Sequence, residues 1–338
     1  MRLKKYVAGA LIAMAALCSP ILAGGPIATE TAFPEGFLWG SFVSAHSTEG
    51  NHANDWTAWE AVPGHIIDGS VSGPACNGWE LFAEDQQWMK KFSHNSVIIS
   101  LEWSKIEPAK GTYDEQALAH YRAMFEALKT AGIKPIVVLW DHTLPTWEAA
   151  YGGFENPLII MDFQNYATRV AKTFGDLVDT YVSLNDPVSY ANKAFKDAIY
   201  PPGKSDLAAL SKAQLMMLAM HAVAWETIHA NDKTAAFGGT PAEVGLIAGL
   251  SLIRPNRPDN QLDISLARAA AGLSGRTFIE TLMQGETTFT PPGPSQPPMK
   301  KGNVVVEAPP MPPAEPKKPT YDKRKIDFLV VHYKGLEE

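Results

Sequence analysis

The chain has 338 residues, of which 46% are hydrophobic, enough to fill the core of one large domain and too apolar for a disordered protein. Its 29 Lys and Arg against 36 Asp and Glu give a net charge of −7, which disfavours nucleic acid and anionic membrane surfaces as partners. After the N-terminus no apolar run reads as a membrane span, so a membrane-spanning protein is not expected.

Arg2, Lys4 and Lys5 precede the apolar stretch Val7–Leu17, and Ile21 and Ala23 stand at −3 and −1 of a signal-peptidase site. Residues 1–23 are therefore read as a signal peptide cleaved after Ala23, sending the chain to the periplasm or outside the cell. A lipoprotein route through Cys18 is disfavoured by the bulky Leu17 before it. Cleavage leaves Cys76 alone, which excludes an intramolecular disulfide.

The next segment, 24–289, alternates buried-strand patterns with helical ones. A first strand is expected near Phe37. Asn95–Leu101, Ile133–Leu139, Leu177–Leu184 and Glu243–Leu250 read as strands, while Asp114–Ala131, Ile159–Phe174, Asp206–Ala230 and Leu262–Met283 carry helical periodicity. Such alternation means a parallel sheet, either doubly wound or a barrel. No strand is followed by a glycine-rich phosphate fingerprint. His142, His221 and His229 lack zinc-type partners at the usual spacing, so no metal and no cofactor is expected.

Composition changes at residue 290. Residues 291–319 hold 11 prolines, which exclude helix and sheet and favour an extended polyproline arm over 290–320. A spacer is favoured over a docking arm for a protein partner. In 321–338, Ile326–His332 reads as a returning sixth strand. Six strands fall short of the eight that close a barrel, so an open edge is a second place for a partner.

Polar residues directly after parallel strands are where barrel enzymes build their sites. Here they are Glu102 and Trp103, Asp141 and His142, and Asn185 and Asp186. In this context FPEGFLWGSFVSAHSTEG (33–50), NDWTAWE (54–60), SGPACNGWELFAED (72–85), SLEWSKIEP (100–108), GIKPIVVLWDHTLPTW (132–147), GGFENP (152–157), SLNDP (183–187) and IDFLVVHY (326–333) resemble, in order and spacing, family 1 of the glycoside hydrolases, the β-glucosidase-like enzymes.

The resemblance implies an α/β fold, here an incomplete (β/α)8 TIM-type barrel of about six strands, and a carbohydrate ligand. It also implies retaining hydrolysis by two carboxylates roughly 5 to 5.5 Å apart. The family acid/base is the Glu of Asn-Glu-Pro, and this chain has Asn185-Asp186-Pro187. A carboxyl set back by about 1 Å can lower a rate on the order of a hundredfold. The nucleophile's Thr-Glu-Asn-Gly motif does not occur in the 338 residues. Other implied contacts have changed too. Ser47 stands for a sugar-binding Gln, Ile98 for an Arg beside the nucleophile, Asp141 for a glycone-binding His, and His142 occupies an aromatic position. Asn185, the contact to the sugar 2-hydroxyl, is kept, and Trp140 and Tyr333 lie in matched segments.

The reading favoured by these substitutions is a secreted pseudoenzyme that has lost retaining hydrolysis and at most binds carbohydrate or a partner. One alternative is an atypical β-glycosidase in which Asp186 and Asp141 form a rebuilt pair. For inversion they would stand roughly 6.5 to 9.5 Å apart. The other alternative is a non-functional fragment.

Overall fold

The structure is a computed structural model that describes residues 33–284 and 328–334. The expected signal peptide and proline-rich arm lie outside these residues. Residues 33–38 form a small unit of their own, a turn closed by Phe37 N–H donating to the Pro34 carbonyl with the Phe33 and Phe37 rings 4.6 Å apart.

From Trp39 onward the chain builds a six-stranded parallel sheet in sequential order: β1 (Phe42–Val43), β2 (Ser96–Ser100), β3 (Lys134–Trp140), β4 (Thr180–Asn185), β5 (Glu243–Ser251) and β6 (Phe328–Lys334). The principal helices are α1 (Gly78–Lys91), α2 (Glu115–Thr130), α3 (Ile159–Phe174), α4 (Pro187–Phe195), α5 (Leu207–Asn231), α6 (Gln261–Ala271) and α7 (Thr277–Gln284). This is the partial TIM-type barrel expected, and barrel enzymes build their sites at the C-terminal ends of the strands.

Local sequence explains the helices. Asp114 accepts the Gln116 and Ala117 N–H groups at the start of α2, and Asp206 does the same for Ala208 and Ala209 at α5. Ile159, Phe163, Tyr166, Val170 and Phe174 recur at helical spacing, and all five are buried on the face of α3 that meets α5 and the sheet. Each such side chain gains about 1.5–3 kcal/mol from burial. Helix α5 is long and apolar enough to cross a membrane, contrary to the expectation from sequence. Most of it is instead buried inside the protein, with Ala213, Met217, Met220, Ala224 and Ile228 against the core.

The two faces of the sheet differ. One carries the large aromatic and aliphatic core beneath the helices. The other, concave face holds a small cluster of Val138, Val182 and Ile247 with Ile98 and Ile136 partly buried around it.

Three boundaries depart from the sequence reading. The first strand begins at Phe42 rather than near Phe37, because Phe37 closes a turn on Pro34 and the ladder with β2 starts at the Phe42–Ile98 pair. The helical pattern over Leu262–Met283 is interrupted at Ser274 and Gly275, where Gly275 takes a φ of 104° that a side chain would resist. The sixth strand, described over Phe328–Lys334, continues two residues past the expected end at His332, and its expected start at Ile326 lies outside the described residues. Trp103 is buried as expected of a packing residue, whereas Trp39 is exposed and meets β2 through its backbone.

Candidate active site

Asp141, at the end of β3, is held from both sides. Its Oδ2 accepts the Ser44 hydroxyl at 2.6 Å from the end of β1, and its Oδ1 accepts the Asn185 amide at 2.7 Å from the end of β4. The Asn185 amide expected at a sugar 2-hydroxyl is thus engaged within the protein.

Asp186 has a left-handed backbone, φ 40°, which turns the chain into α4 with Pro187 at its first position. Its carboxylate points to β5, accepting the Gly249 N–H at 3.0 Å. Gly249 permits this approach, because a Cβ there would lie 3.1 Å from Oδ2. A shallow cleft of about 190 Å³ lies beside it, lined by Asp186, Ser189, Asn192 and Lys193. Asp141 and Asp186 therefore take their hydrogen bonds on opposite sides, one toward β1 and the other toward β5.

His142 sits between them in a left-handed conformation, φ 66°. Its Nε2–H donates to the Asn185 carbonyl at 3.0 Å, and Trp56 Nε1–H donates to the His142 carbonyl. Burial holds the imidazole below its usual pKa, opposed by the charges of Asp141 and Asp186. Trp140 is core, edge-on to Tyr190 and Phe154, rather than a surface for sugar. Ser47 is exposed, its hydroxyl donating to the Ser44 carbonyl at 3.2 Å. Tyr333 pairs with Leu250 through the β5–β6 ladder. Ile98 belongs to the apolar cluster of the concave face.

A second group of buried polar residues lies under the loops after β1 and β2. Tyr121, fully buried on α2, accepts the Glu102 N–H at 3.0 Å and donates to Glu49 Oε1 at 2.8 Å. Burial raises Glu49 to about 7 although Lys105 Nζ stands 3.4 Å away. Burial likewise raises Asp55 to about 8, opposed by the Leu144 N–H that its carboxylate accepts at 2.8 Å. Asp55 borders an apolar cavity of about 340 Å³ with Trp59, Leu144, Tyr190 and Phe195.

His46, His52 and Glu102 converge beside this group. Spacing rules miss them, because the two histidines are six positions apart and the carboxylate arrives fifty residues later, on the next strand. His221 is fully buried, with Nδ1 2.7 Å from Ser183 Oγ, a structural tie between α5 and β4.

A parallel sheet in sequential order with polar residues at its strand ends is that of a partial α/β barrel. The profile of Glycosyl hydrolase family 1 matches residues 29–294, and the chain belongs to that family. Among its relatives, β-galactosidase from Pyrococcus woesei is 28% identical over 314 residues, covering 75% of this chain and 62% of that protein. β-Glucosidase 14 from Arabidopsis thaliana is 32% identical over 191 residues, covering 53% and 39%. Of solved structures, a β-glycosidase from Pyrococcus horikoshii superposes with a TM-score of 0.71 at 28% identity, covering 89% of this chain and 62% of that one. The family 1 β-glucosidase of Thermotoga maritima gives 0.71 at 24%, covering 76% and 58%. The chain thus spans less than two thirds of the length of these relatives.

Proposed function

We propose that this protein is an exported family 1 homologue that has lost retaining β-glycoside hydrolysis and acts, if it acts, by binding carbohydrate or a partner. The observation that carries this reading is the way the strand-end carboxylates are committed. Asp141 already accepts from Ser44 and Asn185, and Asp186 is drawn back to the β5 backbone. A proton donor must reach the glycosidic oxygen within about 3 Å. A carboxylate bonded to Gly249 N–H is both shortened and turned aside. The aliphatic cluster around Ile98 supports the same reading, since it offers no cation to a developing negative charge. Export is supported by the cationic start and the Val7–Leu17 apolar stretch.

A second reading, a rebuilt carboxylate pair, is favoured by one observation: Asp141 and Asp186 directly follow Trp140 of β3 and Asn185 of β4, at the ends of neighbouring strands. A single experiment separates the two. Purified protein is assayed on aryl β-glucosides and β-galactosides beside Asp186→Asn and Asp141→Asn, with a glycan-binding screen in parallel. The first reading expects no turnover in any of the three. Turnover with retained configuration overturns it, and inverted products lost in both variants establish the rebuilt pair.

A further inference from the structure

We propose that His46, His52 and Glu102 form a binding site for one first-row divalent cation of the zinc class. Their candidate ligand atoms all lie within 4.8 Å of one another, and His52 Nδ1 is 3.8 Å from Glu102 Oε2. Four-coordinate zinc with bonds of about 2.0–2.2 Å spaces its ligands by about 3.4 Å. The His52–Glu102 side is therefore within half an ångström of that spacing, and the widest side closes by little more than an ångström on binding.

Hydrogen bonding fixes the protonation of both rings. His52 Nε2 lies 3.0 Å from the Ala45 carbonyl, which can only accept, so Nε2 carries the proton and Nδ1 presents a bare lone pair. His46 Nε2 lies 3.1 Å from Glu60 Oε1, which places its proton on Nε2 by the same argument. Glu60 is itself held in place by the Ser72 N–H and hydroxyl, which donate to its Oε2 at 2.7 and 2.8 Å. His52 Nδ1 thus faces Glu102 Oε2 and His46 keeps Nδ1 as its acceptor nitrogen, while each Nε2–H is held by a carbonyl or a carboxylate. That is the outer-shell arrangement that orients ligating histidines.

The independent sign of a ligand is His52 Nδ1 itself. The side chain is 0% exposed, and Nδ1 has no hydrogen-bond partner among the described residues. Such a bare acceptor is unfavourable in a folded interior. His46 Nδ1 accepts the Asn54 amide at 3.1 Å, a contact a cation would replace. Glu102 Oε1 accepts the Ser104 hydroxyl at 2.6 Å, and Thr143 Oγ1 lies 3.3 Å from both oxygens, which positions Oε2 toward His52. Two imidazoles and one carboxylate suit zinc, cobalt or nickel and are too poor in oxygen for calcium or magnesium. His46, 16% exposed, gives the cation its way in and leaves a fourth position for water.

The test uses full-length protein without a histidine tag, stripped with chelator, titrated with Zn²⁺ by calorimetry and with Co²⁺ by visible absorption. A single saturable equivalent with the Co²⁺ spectrum of a four-coordinate site is expected, with affinity lowered about tenfold or more in His52→Gln and in Glu60→Gln. X-ray absorption of the zinc-loaded parent should show two imidazoles and a carboxylate, a readout that needs no variant to fold. No saturable binding overturns the proposal, as does unchanged affinity in a folded His52→Gln protein or a zinc shell with fewer than two imidazoles.

Discussion

Replacing Tyr121 by Phe removes one hydroxyl and changes nothing else in a fully buried position. Two bonds go with it: the Glu102 N–H loses its acceptor, and Glu49 Oε1 loses its donor. An orphaned buried amide costs about 1–3 kcal/mol, and a bond to a neutral carboxyl contributes about 1 kcal/mol, rising to about 1.5–3 kcal/mol when the carboxyl is charged. Because Glu49 titrates near 7 in the folded protein, it is protonated at pH 5.5 and ionised at pH 8.5. The substitution should therefore cost about 2–4 kcal/mol at the lower pH and about 1 kcal/mol more at the higher one. Urea unfolding at both pH values, with chelator present, measures this, and a melting temperature lower by about 2–4 °C per kcal/mol should accompany it. The same substitution made in Glu49→Gln should lose the pH dependence and keep the cost of the bare Glu102 amide. A cost below 0.5 kcal/mol, or one equal at both pH values, would refute the reasoning.

Two further outcomes follow from the same buried region. Folded Asp55 keeps its proton to about pH 8, whereas an unfolded Asp loses it near pH 4. The folded state holds the extra proton between these values, so stability is greatest at the acid end and falls as pH rises. In Asp55→Asn the slope of stability against pH should be shallower by up to about 1.4 kcal/mol per pH unit, and an unchanged slope would show that Asp55 is ionised throughout. At Gly50, φ is 80° and a Cβ would stand 2.1 Å from the Pro74 carbonyl oxygen. Gly50→Ala should therefore lose about 3 kcal/mol or more by denaturant unfolding, and a loss under 1 kcal/mol would contradict that close approach.

The alternation of strands and helices was legible because it rests on apolar periodicity, which tertiary contacts reinforce. Ile159–Phe174 ends where its apolar face ends, and β2 to β5 lie within three residues of the patterns that announced them. Helix α1 escaped notice, since it opens after Asn77 in a left-handed conformation without a side-chain cap, and only Phe82, Gln86, Met89 and Gly78 are buried along it. The strand-end positions of Asp141, His142, Asn185 and Asp186 could be read from the chain, but their partners could not. Whether Asp186 faces the barrel mouth or the β5 backbone depends on one left-handed residue and one glycine 63 positions away. The meeting of His46 and His52 with Glu102 is likewise a product of strand order, with no signature in any local window.

The double grip on Asp141 also fastens the ends of three strands, β1, β3 and β4, to one another. Ser44 and Asn185 both donate to it, and each oxygen has one of them. An alanine or leucine at that position would leave the serine hydroxyl and the asparagine amide both without an acceptor. One side chain thereby ties the end of β1 to that of β3 past the intervening β2, a link that the backbone ladder does not supply.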